Sequence, residues 1–313
     1  MTGGQQHQPS LPRTWTVLSL IEWSRDHLAE HGFDEARLHV ELMLAHVLHV
    51  TRLQLYLQFD RPLVSQELAA YRGLFQRRLA HEPLQYILGE TAFMGITLGV
   101  GPGVLIPRPE TELLVECALA RIRGIPEPEL RVLDVGTGSG NIALALVHHA
   151  ANVRVTGLDV SEAAVERSRS NAARLKMDRV DFIHADVFDP ASVHERFTMV
   201  VANPPYVARD EFETLMPEVR LFEPREALID EHDGSGFLRK LAPRVKELLQ
   251  PAGIFLCEIG HGQEQVARYV VARAGFSVVT VHADYAGIPR VVEADLPSYE
   301  KSGQYASRRS AGI

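Results

Sequence analysis

Val132-Leu133-Asp134-Val135-Gly136-Thr137-Gly138-Ser139-Gly140 reads as an apolar strand, a glycine turn and the opening of a helix. Glycines at alternate positions let the backbone approach a ligand, because no Cβ stands in the way. Outward from this stretch, short apolar runs recur at 153–158, 180–183, 199–202 and 253–257, with helical patterns at 141–149, 161–175 and 237–249 between most of them. A further helical pattern, 263–274, precedes two strand-like runs, 277–281 and 291–294. This alternation predicts an α/β fold, a parallel sheet with helices on both faces. In such a sheet the first glycine turn lies at the carboxyl end of its strand, where ligands bind.

Upstream the texture is different. Val17, Leu20, Ile21 and Leu28 recur at helical spacing. Asp34 can cap a helix carrying Leu38, Leu42, Ala45 and Leu48, and Ser65 one carrying Leu68, Tyr71, Phe75 and Leu79. Residues 84–106 are glycine-rich with an alternating stretch, Ile96-Thr97-Leu98-Gly99-Val100, which predicts a β-hairpin. Pro109 sits where a helix can begin, with Glu110 and Glu112 in its first turn. The expected domains are a flexible tail (1–13), a helical docking domain (14–82), a β-hairpin linker (83–107), a catalytic domain (108–296) and a second flexible tail (297–313).

Composition narrows the function. The 313 residues are 46% hydrophobic and 23% charged, enough apolar material for a real core. With 32 basic and 40 acidic side chains the net charge is −8, the opposite of the basic surplus that grips long nucleic acid by counterion release. Two cysteines far apart, Cys117 and Cys257, make neither a disulfide framework nor a metal cluster, and no metal is expected. No apolar run is long enough to span a membrane and no secretory pattern opens the chain, so the expectation is a cytoplasmic monomer without membrane contact.

The second strand ends in Gly157-Leu158-Asp159, an acid placed to accept the hydroxyls of a ribose. A dinucleotide site prefers G-x-G-x-x-G with its pyrophosphate on the helix N-terminus. Here the spacing is G-x-G-x-G, and Asp134 would repel a pyrophosphate but suits an ammonium group. S-adenosylmethionine (SAM) has a ribose, an amino-acid tail and no phosphate. The candidate cofactor residues are therefore Asp134, Gly136, Thr137, Gly138, Ser139, Gly140 and Asp159. Asp186 is added as acceptor for the adenine amino group, with Val187 or Phe188 against the ring.

The fourth strand runs into Asn203-Pro204-Pro205-Tyr206. Two prolines remove two N–H donors and stiffen the loop. The carbonyls of Asn203 and Pro204, the Asn203 side-chain oxygen and the Tyr206 ring suit a planar nitrogen that carries two protons. Such a nitrogen is a poor nucleophile, so placement must supply the rate. Asn203, Pro204 and Tyr206 are the candidate catalytic residues, and Asn203 also borders the cofactor.

Taken together, these stretches resemble the HemK-type (PrmC) glutamine N5-methyltransferases of peptide-chain release factors. The resemblance runs from about Trp15 to Leu296. Beyond the two loops it rests on Phe93-Met94-Gly95, on Leu105-Ile106-Pro107-Arg108-Pro109-Glu110-Thr111-Glu112, on Phe222-Glu223-Pro224 and on Asp284-Tyr285. It implies a Rossmann-like SAM-dependent methyltransferase sheet, mostly parallel with the last strand antiparallel, preceded by a small all-α domain and a β-hairpin linker. It also implies a class-I release factor as partner, methylated on the glutamine of its Gly-Gly-Gln loop. That substrate would lie against Asn203, Pro204, Pro205 and Tyr206, with Arg108 either lining the peptide channel or tying the linker down. The main alternative is a nucleic-acid amino-methyltransferase acting on adenine N6 or cytosine N4, which are also planar amines. Base flipping usually needs an added recognition domain, and no such insertion or basic run is present. Glu218 and Glu223 are placed near the substrate mouth, His261 is given no chemical role, and Gly3-Gly4-Gln5 repeats the substrate tripeptide by chance.

Overall fold

The computed structural model describes residues 14–230 and 232–298, so both expected tails lie almost wholly, and Gly3-Gly4-Gln5 entirely, outside the described residues. The chain divides into two compact units, Met1–Leu88 and Gly89–Ile313. The sequence reading placed this boundary six residues earlier.

The first unit is helical: α1 (Val17–Glu30), α2 (Ala36–Leu48), α3 (Arg52–Tyr56), α4 (Ser65–Leu79) and α5 (Leu84–Leu88). Thr16 and Ser19 cap α1 reciprocally, each side chain accepting the other's backbone N–H. Val17, Ile21, Leu28, Val40, Met43, Leu44 and Leu55 close its core. Three local expectations shift. Asp34 does not cap α2; Glu35 takes that place in the left-handed region, with no side-chain cap bond. Ser65 is the first residue of α4, and Val64 occupies the cap position. Residues 84–88, read as the start of the hairpin, form a short helix because Leu84, Tyr86 and Ile87 are buried.

The second unit opens with the expected hairpin, β1 (Glu90–Phe93) and β2 (Ile96–Gly99). Its two-residue turn, Met94-Gly95, has positive φ at both positions, the geometry that matches the twist of paired strands. Then come α6 (Thr111–Arg123), β3 (Leu130–Val135), α7 (Asn141–His149), β4 (Val153–Asp159), α8 (Glu162–Leu175), β5 (Val180–His184) and β6 (Phe197–Ala202). Short elements follow, β7 (Val207–Ala208), α9 (Pro217–Phe222), α10 (Arg225–Leu228) and β8 (Ile229–Asp230). The chain continues with α11 (Gly236–Leu248), β9 (Leu249–Glu258), α12 (Glu264–Arg273), β10 (Ser277–Ala283) and β11 (Pro289–Asp295). Helix α6 starts two residues after Pro109, with Glu110 at its cap.

Seven strands form one sheet in the order β10-β11-β9-β6-β3-β4-β5. β11 runs antiparallel to both its neighbours, and the central strands are parallel. The last strand is thus inserted against the run of the others, as expected. Apolar side chains leave the sheet on both faces. Val132, Met199 and Val201 join α6, α7 and α8 in one layer, and Leu133, Val200 and Phe255 join α11 and α12 in the other. Asn171 of α8 ties the hairpin to the glycine loop: its Oδ1 accepts Gly99 N–H at 2.7 Å, and its Nδ2 donates to the carbonyls of Gly99 and Ser139 at 3.0 and 2.9 Å.

Candidate active site

The parallel ladder aligns four residues from four strands. Val135 pairs with Leu158 on one side and Ala202 on the other, and Ala202 pairs with Cys257. The next residue along each strand is therefore Asp159, Gly136, Asn203 and Glu258, one row across the carboxyl edge of the sheet. This is where an open α/β sheet binds ligands.

A cleft of about 160 Å³ opens on that row. Gly136, Gly138, Asp159, Asp186, Val187, Asn203, Pro204 and Pro205 line it, all anticipated from the sequence. Gly136, Gly138 and Gly140 all have positive φ, which other L-residues rarely adopt, so the loop needs its glycines for conformation as well as space. Asp159 is half-buried, and burial pushes its carboxyl up. Its Oδ2 accepts Gly138 N–H at 2.8 Å and its Oδ1 accepts Ser161 N–H at 2.9 Å. Each oxygen keeps a second lone pair for a ligand hydroxyl. Asp186 Oδ1 accepts Phe188 N–H at 2.9 Å.

Four of the proposed cofactor residues are not on the cleft wall. Asp134, Thr137 and Ser139 are buried, and a Cβ at Gly140 would meet Phe182, Ser168 and Leu144 at 3.1–3.2 Å. They support the loop from behind. Asp134 Oδ2 accepts the Thr137 hydroxyl at 2.6 Å, while its Oδ1 has no hydrogen-bond partner among the described residues. Burial pushes the Asp134 carboxyl up to about 7.

Arg108 also lies off the cleft wall. It meets Glu223 Oε1 at 2.5 Å, and Glu223 Oε2 accepts Ile106 N–H at 3.1 Å. Glu223 is buried, so this pair holds the end of the linker against the segment after the Asn203–Tyr206 loop. Of the two roles considered for Arg108, its partner favours the tie.

Tyr206 is half-buried and does not line the cleft. Its hydroxyl donates to Glu258 Oε1 at 3.2 Å, and burial raises its pKa. Gln263 secures the loop behind it, donating to the carbonyls of Tyr206 and Gly234 at 2.9 and 3.1 Å. Asn203 Nδ2 donates to Thr111 Oγ1 at 3.1 Å. Among the described residues, no backbone hydrogen bond is made to the carbonyls of Asn203 or Pro204.

Sequence reading missed several of these residues. Val160, exposed after Asp159, and Phe237 face the cleft with Val187 and Phe188, giving an apolar slot. Phe188 and Phe237 pack edge to face at 5.4 Å. Val160 carried a signal, an apolar residue just past a strand end, but Phe237 carried none. Thr111 and Glu258 were also missed, although Glu258 ends β9 as Asp159 ends β4.

These residues fit SAM. Two glycines open the wall, a carboxylate at the end of β4 keeps free lone pairs, and the slot takes a flat ring. Asp134, buried behind the loop and off the cleft wall, holds the loop in shape through the Thr137 hydroxyl. Among the described residues, no group of His, Cys, Asp or Glu could hold a metal ion, and no helix is long and apolar enough to cross a membrane.

The sheet with its inserted antiparallel strand, and the cleft at its carboxyl edge, define a SAM-dependent methyltransferase. A family model described as a methyltransferase domain matches residues 126–281, and one described as the PrmC N-terminal domain matches residues 19–89. The release factor glutamine methyltransferase of Geobacter sulfurreducens is 42% identical over 90% of this chain and 97% of its own length. That of Thermodesulfovibrio yellowstonii is 41% identical over 80% of this chain and 89% of its own. That of Chlorobaculum tepidum is 39% identical over 89% and 96%. The chain belongs to the release factor glutamine methyltransferase family.

Proposed function

We propose that this chain methylates the side-chain amide nitrogen of the glutamine in the Gly-Gly-Gln loop of class-I peptide-chain release factors, using SAM. The observation that carries this reading is the Asn203-Pro204-Pro205 rim on the same cleft as Asp159 and Gly136. Relatives that align over nearly their whole length bear the matching description.

SAM, when bound, supplies an electrophilic methyl group on a sulfonium. Asp159 holds the ribose hydroxyls, the glycine loop admits the amino-acid tail, and Val160, Val187, Phe188 and Phe237 enclose the adenine beside Asp186. The Asn203 side-chain oxygen and the Pro204 carbonyl accept the two N–H bonds of the substrate carboxamide. Both acceptors strengthen as positive charge develops on that nitrogen. Holding a weak nucleophile in line accounts for much of the rate. Tyr206, off the cleft wall and anchored through its hydroxyl to Glu258, backs the rim. The helical unit, residues 14–82 in the sequence reading, docks the folded release factor.

Labelled SAM offered to purified release factor and to DNA or RNA tests the reading. Label on the glutamine of the Gly-Gly-Gln loop is the expected result, and label confined to nucleic acid would replace it with the base-methylating alternative. Deleting residues 1–88 should raise KM for the intact release factor far more than for a short Gly-Gly-Gln peptide.

A further inference from the structure

The proline rim is held by its ends. Pro204 and Pro205 have no N–H to give, and among the described residues no backbone hydrogen bond reaches the carbonyls of Asn203 or Pro204. At one end Asn203 Nδ2 donates to Thr111 Oγ1. At the other, the Tyr206 carbonyl accepts from Gln263 Nε2 at 2.9 Å. Gln263 lies off the cleft wall, at the N-cap position of α12, and makes no side-chain cap bond there.

The Gln263 side chain instead joins three loops. Its Oε1 accepts Gly260 N–H at 2.9 Å, and its Nε2 donates to the carbonyls of Tyr206 and Gly234 at 2.9 and 3.1 Å. These partners leave the amide one orientation, because a backbone N–H can only donate and a carbonyl can only accept. Two glycines make the space for it. A Cβ at Gly234 would run into Gln263 Nε2 and lie 2.5 Å from the Tyr206 carbonyl oxygen, and one at Gly260 would lie 3.1 Å from Gln263 Oε1 and from Tyr206 Cδ2. Gly234 is also held from the other side. Asp230, buried at the end of β8, accepts the N–H groups of Gly234 and Gly236 on Oδ2 at 3.0 and 2.9 Å, and that of Phe237 on Oδ1 at 2.9 Å. Phe237 lines the cleft, so Asp230 secures the cofactor side of this loop and Gln263 the rim side.

We propose that Gln263 is a positioning residue: by anchoring the Tyr206 carbonyl against the Gly234 and Gly260 loops it fixes the direction in which the Pro204 carbonyl meets the substrate amide. The inference rests on the proposed reaction, since it deepens the role of Pro204 there. Gln263 acts through the rim and not on the reacting atoms.

Gln263→Glu keeps the shape and the acceptor for Gly260 but sets its second oxygen against two carbonyls. Gln263→Met keeps the bulk and removes all three bonds, and it reads the same link if Gln263→Glu fails to fold. Either variant should lower kcat on release factor by about 10- to 100-fold, the cost of displacing an aligned group by up to about 1 Å. KM and affinity for S-adenosylhomocysteine should stay within about threefold of wild type, because Asp230 still holds the cofactor side. The chain has eight tyrosines, so protein carrying 3-fluorotyrosine gives eight fluorine resonances, and the Tyr206 resonance is the one lost in Tyr206→Phe. Both Gln263 variants should move it. An unmoved Tyr206 resonance overturns the proposal, as does a moved one with wild-type kcat. A loss of S-adenosylhomocysteine affinity as large as the loss of kcat also overturns it, since Gln263 would then be a general support of the fold. A wild-type protein that leaves glutamine unmethylated while the variants still move the resonance would instead refute the proposed reaction and support the anchor.

Discussion

Asn203 donates its side-chain N–H to the hydroxyl of Thr111 at 3.1 Å, joining the loop after β6 to the first turn of α6 across 92 residues. The Asn203-Pro204-Pro205 loop is therefore tied to a helix start as well as stiffened by its prolines. Its chemistry depends on a contact that neither segment implies alone.

Asn203→Ala should separate binding from turnover. Loss of the acceptor removes stabilisation needed most in the transition state, so kcat should fall by about 100-fold or more. Affinity for S-adenosylhomocysteine, measured by calorimetry, should change little. A variant that loses only cofactor affinity would move Asn203 to the cofactor's side of the cleft.

Asp159→Ala should weaken cofactor binding by about 10- to 100-fold, the effect of losing hydrogen bonds to a charged acceptor. Asp159→Asn, which keeps one oxygen, should lose less. Because Asp159 also accepts Gly138 and Ser161 N–H, both variants need a thermal-melt control. Unchanged affinity in a folded Asp159→Ala would refute its assignment to the ribose.

Gly157→Ala tests the packing behind the loop. An added Cβ would come within 2.5 Å of the Phe182 ring and 2.8 Å of the Thr137 hydroxyl. Overpacking of this kind costs about 1–3 kcal/mol, visible as a fall of several degrees in Tm. The displaced Thr137 should also weaken cofactor binding, which distinguishes this glycine from a remote one.

Two buried carboxylates set a pH dependence. Burial pushes Asp134 up to about 7 and Glu258 up to about 7, from 3.8 and 4.5. A raised folded-state pKa means the native state holds protons that the unfolded state releases. The stability these two groups contribute is complete below about pH 4 and is lost as pH rises through 7. The neutral double variant Asp134→Asn, Glu258→Gln, without cofactor, should gain Tm relative to wild type as pH goes from 5 to 8. A constant difference would show that both groups are already ionised in the folded protein at pH 5.

Much of the fold was legible because its signals are local. The glycine loop, the acid at the end of β4 and the proline-stiffened rim each lie within a few consecutive residues, and each landed on the cleft. Helix α7 matched its expected bounds. Capping was less readable: Asp34 is the better cap by side chain, yet the backbone turns at Glu35, in the left-handed region and without a side-chain cap bond. Glu258 and Thr111 escaped notice because an acid after a strand and a threonine at a helix start each look ordinary.

By itself the sequence determined the strand-and-helix alternation, the ligand-bearing loops and the family, since these depend on residue type and short spacing. Only the tertiary structure decided that Asp159, Gly136, Asn203 and Glu258 stand in one row, that Arg108 is tied to Glu223, and that Asn203 is bonded to Thr111. The physical reason is connectivity. Parallel strands need long crossovers, so neighbours at the sheet edge lie tens of residues apart in the chain, and strand register brings them together.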